Sequence, residues 1–379
     1  MMNFTLNDEQ VAIKKMAREF VNKEIVPVAR KYDEEEAFPV VVMEKLREYG
    51  LFNLGIPEQY GGPGIDKLSH ALIIEEMARG CAGIATSADA NSLSAYPILV
   101  GGSEELKKKY LSRLTHDGKY ASFALTEPQS GSDVMGMSSN IEKVGNEYVL
   151  NGEKCFITNA THSDFFVVLA KLKGERGSKS FNALIVERDS DGVSIGPKEK
   201  KLGLRSSDTA SVTFNDVRVP EKNIIGSLGD GFKIFMQALS HARPMAGAQA
   251  LGVAQGAYEE ALIYAKERKQ FGQLISDFQG IQFMLADMAM TIEASRLLVH
   301  KSVYLLQEGV PSVTAASFAK CFASDTAMKV VTDAVQIFGG YGYIREYGVE
   351  KYFRDAKIMQ IYEGTNQIQR VVIAKEILK

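Results

Sequence analysis

The spacing of apolar residues changes twice along this chain of 379 residues, and this constrains its fold more than any other feature. Up to about residue 119, apolar residues recur three or four positions apart, which is typical of amphipathic helices. Residues 120–226 are instead rich in β-branched and aromatic residues, and turn residues separate them into short runs. From residue 227 to the end, the helical spacing returns. The pattern predicts three domains with the boundaries 1–119, 120–226 and 227–379.

The predicted fold class is α+β, with an α-helical N-terminal domain, a central antiparallel β barrel or sandwich, and a C-terminal four-helix bundle. Within the β region, Asn151-Gly152 is a strong hairpin signal and predicts a turn between two strands. In the C-terminal domain, amphipathic stretches run roughly over residues 231–269, 278–308, 312–338 and 365–378.

Composition excludes several classes of protein. The net charge of −3 argues against a nucleic-acid-binding protein, which usually has a basic surface. No apolar run approaches the ~20 residues that a membrane span needs, and the first residues lack the pattern of a secretory signal. Three scattered Cys and five scattered His residues predict neither a disulfide framework nor a bound metal. This cysteine usage fits a cytoplasmic protein.

The stretch "IYEGTNQ", residues 361–367, separates two amphipathic helical patterns and contains one acid. A glutamate in a loop is usually solvated, but Tyr362 and Gly364 are unusual neighbours for a merely solvated linker. Aromatic cover removes water from a carboxylate and raises its pKa toward the range that a general base requires. Glu363 is therefore the candidate base, and Gly364 would leave room for a substrate.

Four other stretches contain residues that can bind a cofactor, and each also has a purely structural interpretation. The loop "FALTEPQSGSD", residues 123–133, offers hydroxyl and N–H groups to a heterocycle or a phosphate, or it simply connects two lobes. Phe156 and Thr158 can cover and hydrogen-bond a ring, or Phe156 belongs to the core. Arg268 can bind an anion, or it complements a helix C-terminus. The glycines of residues 336–342 permit close approach of a ligand, or they only end a helix.

Together these stretches resemble the acyl-CoA dehydrogenase family. "FALTEPQSGSD" is similar to one long family motif, and "QIFGGYGYIREYGVEKYFRDAKIMQIYEGTNQIQR" is similar to a second. The segment "YAKERKQFGQLISDFQGIQFMLADMA" between them also matches, so the resemblance covers nearly the whole chain. It is nearest to short- and medium-chain members. It implies a homotetramer with FAD in each subunit, an acyl-CoA substrate and electron-transfer flavoprotein as the acceptor, without nucleic acid or membrane.

The resemblance also implies roles for individual residues. Glu363 would remove the α-proton of the thioester while a hydride leaves the β-carbon for the flavin, which gives the 2-enoyl-CoA. The positions that match the FAD site are Phe123, Leu125, Thr126, Ser132, Phe156, Thr158, Thr365 and Gln367, together with Arg268, Phe271, Gln279, Gln336 and Gly340 from a neighbouring subunit. The positions that match the substrate site are Ser132 and Arg243 for the CoA part, and Tyr362, Gly364 and Asp89 for the acyl group.

Three positions depart from the family or vary within it. Some members carry the base on a helix, but here Ala242 occupies that position and cannot accept a proton, so Glu363 is the only candidate. Phe156 stands where the family often has Trp, which keeps the aromatic face but not the indole donor. Asp89 stands where medium-chain relatives often have Glu. It is either a polar residue at the end of the pocket or a residue that shapes, or acts in, a pocket for a cyclic acyl group.

Other functions remain open at this level. One is an oxidase that passes electrons to O₂, although such relatives are usually longer. Another is a non-catalytic or nucleic-acid-binding flavoprotein on the same scaffold, which the negative net charge and the intact Glu363 disfavour. A plain helical scaffold protein would bind no cofactor and would be colourless when purified.

Overall fold

The computed structural model describes residues 5–379 and begins with helices, as the apolar spacing predicts. The first helix starts at a capping box, in which the Asn7 side chain and Gln10 bond each other's backbone N–H groups. A π-helical turn over Val21–Ile25 joins the first two helices. The helices of this part are α1 (Asp8–Phe20), α2 (Val26–Glu34), α3 (Val40–Glu48), α4 (Lys67–Gly101) and α5 (Glu104–Thr115).

Helix α4 is two helices joined at one residue. Cys81 has φ −162° and ψ 110°, which is an extended conformation, while the residues on both sides are helical. Nearly every side chain of α4 is buried, since it packs against the C-terminal helices and the sheet. A helix buried on all sides belongs in the interior of a large protein, and the charged residues Glu75, Glu76 and Arg79 of α4 are paired there.

The middle of the chain forms one eight-stranded sheet. In spatial order the strands are β6-β7-β3-β2-β4-β5-β8, and β1 lies beside β4. Strands β1 and β2 run parallel to β4, while the other pairs are antiparallel. The strands are β1 (Ala121–Ala124), β2 (Asn140–Val144), β3 (Glu147–Thr158), β4 (Phe165–Leu172), β5 (Phe181–Glu187), β6 (Val193–Lys198), β7 (Thr209–Pro220) and β8 (Ile224–Ile225).

The predicted fold class is confirmed, but the sheet differs in two respects. It is mixed rather than wholly antiparallel, and within residues 5–379 it does not close into a barrel. The hairpin predicted at Asn151-Gly152 is wrong, because both residues lie inside strand β3. The turn is two residues at 145–146, where Val144 pairs with Glu147. Gly152 instead marks a shift in register, and a Cβ there would lie 2.2 Å from the Ser139 hydroxyl.

The C-terminal part contains five helices, and four of them coincide closely with the predicted amphipathic stretches. These are α6 (Gly231–Glu267), α7 (Gln279–Gln307), α8 (Val313–Phe338) and α10 (Asn366–Ile377), and α9 (Val349–Met359) lies between the last two. Helix α8 packs against the other four. A short hairpin of β9 (Lys269–Gln270) and β10 (Gln273–Leu274) joins α6 to α7. In residues 5–379, no helix has the length and apolar character to cross a membrane.

The hydrophobic core has three parts, and the candidate site lies where they meet. One part joins α1–α4 to the C-terminal helices. The other two lie on the two faces of the sheet, one of them under α5 and the start of α6. Helices α4 and α6 contact both the bundle and the sheet, so they can position side chains between the two.

Candidate active site

The loop between α9 and α10 holds Glu363 in a left-handed backbone conformation. Glu363 has φ +55° and the following Gly364 has φ +86°. A non-glycine residue rarely adopts such a φ, and strain of this kind concentrates at functional sites. Glycine is required at the second position, since a Cβ on Gly364 would lie 2.7 Å from Nε2 of Gln369. The helix break of the sequence is therefore a tight turn that presents one carboxylate.

Two buried side chains hold this turn. Lys320 of α8 donates hydrogen bonds from Nζ to the Gly364 carbonyl at 2.7 Å and to Oδ1 of Asn366 at 2.8 Å. Gln369 donates from Nε2 to the carbonyls of Glu363 at 3.0 Å and Gly364 at 3.1 Å. Since loop carbonyls are normally satisfied by water, these bonds fix the position of the turn from inside the protein.

One oxygen of the Glu363 carboxyl is withdrawn from water although the residue as a whole is partly exposed. Its Oε2 is inaccessible and has no hydrogen-bond partner within residues 5–379. Burial raises the pKa of Glu363 to about 7, while the charges of Arg243 and Lys320 oppose this increase and Asp89 adds to it. Desolvation of an ionised carboxylate is the main cause, as Tyr362 and Gly364 suggest from the sequence.

Arg243 of α6 is a buried cation in the same enclosure. The residue is only 7% exposed, and its Nε has no hydrogen-bond partner in the described chain. Burial lowers its pKa, and the charge of Glu363 opposes that effect. An unpaired buried polar atom is costly unless a ligand or water satisfies it. Arg243 and Glu363 thus each present an unpaired polar atom inside the same enclosure, and a polar ligand could bind between them.

The walls near Glu363 come from α4 and α6. The Tyr362 hydroxyl donates to Oε1 of Gln249 at 2.9 Å, and Thr86 donates to the same oxygen at 3.0 Å. Burial and the nearby Glu363 charge both raise the pKa of Tyr362. One turn beyond Thr86, Asp89 pairs with His70, with 2.9 Å between Oδ1 and Nε2. The structure therefore brings four of the predicted substrate residues together, namely Asp89, Arg243, Tyr362 and Gly364.

The predicted flavin residues of one subunit form a strip along the ends of β1 and β3. The loop after β1 is tied to β3, because the Cys155 N–H donates to the Thr126 carbonyl at 2.9 Å. At the end of β3, the Thr158 carbonyl accepts a hydrogen bond from Ser122 of β1 at 2.6 Å. Phe123 packs against Phe235 with ring centroids 4.5 Å apart. Leu125 lies between Phe123 and Thr126 and is partly buried, whereas Ser132 is exposed on the loop.

Phe156 presents its ring to solvent at the end of this strip. It is 66% exposed, has φ +58°, and lies in a bulge where the register of β3 on β7 shifts. Bulges redirect a side chain that would otherwise follow the strand. An exposed ring in a strained conformation is not a core residue, so the structural interpretation of Phe156 does not hold. The ring offers a flat surface to a bound heterocycle.

The flavin loop rests on a fully buried ion pair that the sequence did not reveal. Lys154 and Glu127 are inaccessible, with 2.8 Å between Nζ and Oε1. Lys154 also donates to the Leu125 carbonyl at 3.1 Å. Glu127 accepts from the N–H groups of Ser138 at 2.6 Å and Ser139 at 3.0 Å. The pair lowers the pKa of Glu127 to about 2 and fixes the loop at both ends.

The residues expected to serve a neighbouring subunit lie in the C-terminal part, at the ends of its helices and in the β9–β10 hairpin. Four of them are exposed: Phe271, Gln279, Gln336 and Gly340. Phe271 is 94% exposed with φ +53°, and the Arg268 guanidinium lies over the Tyr341 ring at 5.3 Å. Of the last two predicted flavin residues, Thr365 caps the N-terminus of α10 and Gln367 is exposed. An aromatic side chain exposed to this degree is suited to contact with another chain.

The sequence patterns did not indicate roles for Lys320, Gln369, His70 and the Lys154–Glu127 pair. A signal exists for Lys320, because it is a single charged residue on the buried face of the helix "VTAASFAKCFASDTAM". His70 likewise stands in an apolar stretch, "SHALII". Such residues are rarely buried without a partner, but the partner cannot be identified until the fold is known.

Three family models match consecutive parts of the chain. They describe the N-terminal, middle and C-terminal domains of acyl-CoA dehydrogenases, and they match residues 7–117, 122–217 and 229–378. The chain belongs to the acyl-CoA dehydrogenase family and is a flavin-dependent oxidoreductase. This confirms the resemblance seen in the motifs.

Individual proteins are similar over their whole length. The probable acyl-CoA dehydrogenase fadE25 of Mycobacterium leprae is 46% identical over 377 residues, which cover 99% of this chain and 97% of that protein. Butyryl-CoA dehydrogenase of Megasphaera elsdenii is 42% identical with a TM-score of 0.97, and all of both chains is covered. A chain from a structural study of the electron transferring flavoprotein of Acidaminococcus fermentans and flavin-based electron bifurcation has 44% identity, the same TM-score and the same coverage.

FAD is the cofactor. An acyl-CoA dehydrogenase of Bacillus anthracis, solved in complex with FAD, is 36% identical with a TM-score of 0.94 and covers all of this chain and 68% of that one. The residues of this chain fit such a group. The Phe156 ring is exposed beside hydroxyl and backbone groups of β1 and β3, and an internal ion pair fixes the loop that carries them.

Proposed function

We propose that this protein oxidises an acyl-CoA thioester to the 2-enoyl-CoA, with Glu363 as the base that removes the α-proton. The observation that carries the proposal is a carboxyl group held in a strained turn, with an inaccessible oxygen and a pKa of about 7. An efficient general base has a pKa near the working pH. An ordinary surface glutamate would be ionised but too weakly basic for this step.

The turn can also polarise the thioester. Within residues 5–379, the Glu363 backbone N–H donates to no protein acceptor, so it is free to bond the thioester oxygen. Such a donor stabilises the negative charge that develops when the α-proton leaves. Because Gln369 and Lys320 fix the carbonyls of the same turn, the donor and the base keep a constant relative position. This preorganisation is the chief contribution of the protein to the chemistry.

FAD would lie on the strip of β1 and β3, held by the hydroxyl and backbone groups of Thr126 and Thr158 and covered by Phe156. When bound, FAD accepts the hydride that leaves the β-carbon. The protein residues orient the cofactor, exclude water and hold the α-proton on Glu363. Arg243 and Ser132 would bind the CoA part, and Tyr362, Gly364 and Asp89 would enclose the acyl group.

Electron-transfer flavoprotein and further copies of this chain are the proposed partners. Phe271, in the turn between β9 and β10, is 94% exposed, and Tyr343, after α8, is 87% exposed, which supports contact between subunits. The residues Arg268, Gln279, Gln336 and Gly340 would then complete the FAD site of a neighbouring subunit in a homotetramer. Sedimentation analysis of the purified protein tests this assembly directly.

The experiment for the function is anaerobic mixing of the purified yellow protein with straight, branched and cyclic acyl-CoA thioesters. We expect at least one of them to bleach the flavin and to yield the 2-enoyl-CoA. Pivaloyl-CoA is the matched control, because it binds as a thioester but has no α-proton, and it should not bleach the flavin. Reoxidation by electron-transfer flavoprotein in preference to O₂ separates a dehydrogenase from an oxidase. Failure of every thioester would favour a non-catalytic flavoprotein.

A further inference from the structure

His70 and Asp89 meet because α4 reverses direction at Cys81. In a straight helix, 19 residues would separate their Cα atoms by about 28 Å, at 1.5 Å per residue. Cys81 leaves the helical conformation, and the two halves of α4 fold together so that Nε2 of His70 lies 2.9 Å from Oδ1 of Asp89. The contact therefore depends on a specific feature of the fold and not on local sequence.

The two side chains differ in their exposure. His70 is 3% exposed and Asp89 is 12% exposed, so His70 lies behind Asp89 as seen from the open side. In the described part of the chain, the hydrogen bonds of Asp89 all use Oδ1, which leaves Oδ2 free. His70 donates its Nε2–H to the carboxylate in this arrangement, because an ionised carboxylate can only accept.

Asp89 faces the same enclosure as the base. Its charge contributes to the raised pKa values of Glu363 and Tyr362, and to that of Tyr96 two turns further along α4. From α6, Arg243 supplies the opposing positive charge near Glu363. His241 is a second titratable residue of α6 near this wall, and its ring centroid lies 5.5 Å from that of Tyr96. Burial lowers the pKa of His241.

Burial raises the pKa of Glu363, and the charge of Asp89 adds to this increase, so the two carboxyl groups act on each other within one enclosure. The contact with His70 holds Oδ1 of Asp89 and thereby fixes which oxygen faces the open side. The result is a wall that carries a fixed negative charge and one free acceptor oxygen.

We propose that His70 and Asp89 form a specificity-determining pair in the acyl site, which rejects acyl groups ending in a carboxylate and accepts uncharged ones, including those ending in a hydrogen-bond donor. A third carboxylate would be repelled by Asp89 and Glu363 where little water screens them. A hydroxyl group at the same position would instead donate to Oδ2 of Asp89. Asp89 contacts the substrate in this account, and His70 is a positioning residue. This inference rests on the proposed function.

The test compares three thioesters of equal chain length, namely valeryl-CoA, 5-hydroxyvaleryl-CoA and glutaryl-CoA, in anaerobic flavin reduction. For the wild-type protein, we expect kcat/KM for glutaryl-CoA to be at least about a hundredfold below the other two. Equal use of glutaryl-CoA and valeryl-CoA by the wild-type protein would overturn the inference, with no variant needed. If none of the three bleaches the flavin but another acyl-CoA does, the same comparison is made at that chain length.

Variants of Asp89 and His70 show which residues cause the preference for valeryl-CoA over glutaryl-CoA. Asp89→Asn should bring the ratio of valeryl-CoA to glutaryl-CoA efficiency down by about tenfold or more. His70→Leu should reduce the same ratio, and His70→Gln, which keeps an N–H donor, should restore most of it. A purely structural role of His70 would change stability and leave the ratio unchanged. If valeryl-CoA bleaches the flavin but Asp89→Asn leaves the ratio of valeryl-CoA to glutaryl-CoA efficiency unchanged, the role of the pair is rejected and the proposed function stands. If no acyl-CoA bleaches the flavin of the wild-type protein, the proposed function and the role of the pair are rejected together.

Discussion

Lys320 donates a 2.7 Å hydrogen bond from Nζ to the carbonyl of Gly364, the residue that follows the candidate base. The lysine is 1% exposed and lies on α8, so the position of the turn is set by the helix bundle. Burial lowers the pKa of Lys320 to about 8, and the Glu363 charge partly offsets this effect. One side chain thus both holds the turn and tunes the acid.

Lys320→Met should shift the pH dependence of flavin reduction upward. Wild-type reduction should increase with pH as Glu363 ionises near its pKa of about 7. Without the positive charge of Lys320, the ionised form is less favoured, so the midpoint moves to higher pH and the rate near pH 7 falls about threefold to tenfold. Stopped-flow reduction across a pH series measures this. Lys329→Met, an exposed lysine on the same helix, is the matched control, and an unshifted midpoint in Lys320→Met would contradict the tuning role.

Glu363→Gln should stabilise the fold at high pH. The pKa of Glu363 is about 7 in the folded protein against 4.5 ordinarily, so the folded state holds this proton more tightly. The stability that comes from this proton is complete below pH 4.5 and is lost as the pH rises through 7. The variant escapes that loss and should be about 1–3 kcal/mol more stable at pH 8, but less than about 1 kcal/mol more stable at pH 5. Chemical denaturation at both pH values, with the exposed Glu308→Gln as control, measures the difference. A pH-independent effect would argue against a raised pKa.

Lys154→Met should destabilise the protein and weaken FAD retention together. It leaves the Glu127 carboxylate buried without its cation, and breaking a buried pair typically costs about 3–5 kcal/mol. The double variant Lys154→Met/Glu127→Gln should recover part of the loss, because no unpaired charge remains. Thermal unfolding and the ratio of flavin to protein absorbance follow the two effects. If both variants retain FAD as well as the wild-type protein does, the pair does not position the flavin loop.

Phe156→Ala should weaken FAD binding with little change in stability. The ring is 66% exposed, so its removal creates no cavity in the core. It would remove the aromatic surface under the cofactor, which is worth about tenfold in affinity. Phe156→Trp should retain or improve binding, since the family often has Trp there. Titration of the FAD-free protein with FAD gives the dissociation constants, and unchanged affinity in Phe156→Ala would place the flavin elsewhere.

Periodicity predicted the order of helices and strands well, because each helix and most strands bury one face. It could not show how the two halves of α4 fold together at Cys81, since both halves are buried on nearly all sides and their spacing gives no direction for the break. For this reason His70 and Asp89 appeared unrelated in the sequence. The prediction of a hairpin at Asn151-Gly152 was wrong for a local reason. Gly145 and Asn146 form the turn, and Gly152 lies where the register of β3 on β7 shifts.

The base was predictable from its neighbours, whereas its supports were not. Tyr362 and Gly364 indicate a covered carboxylate in a tight turn, and the structure shows that turn. Lys320 acts through a contact with Gly364 across 44 positions of the sequence. Gln369 is only five and six positions from the carbonyls that it bonds, but the spacing does not show that its side chain folds back onto the turn. Spacing within one chain segment contains no information about such contacts. Charged residues inside apolar helices mark where they can occur, without identifying the partner.

The most direct measurement is the rate of flavin reduction by Glu363→Gln after anaerobic mixing with the acyl-CoA that reduces the wild-type protein fastest. The variant should still purify yellow and bind the thioester, because Gln fits the same turn. Its reduction rate should fall by about a hundredfold to ten-thousandfold, which is the usual contribution of a general base. Reduction at the wild-type rate would show that another group takes the proton and would contradict the assignment of Glu363.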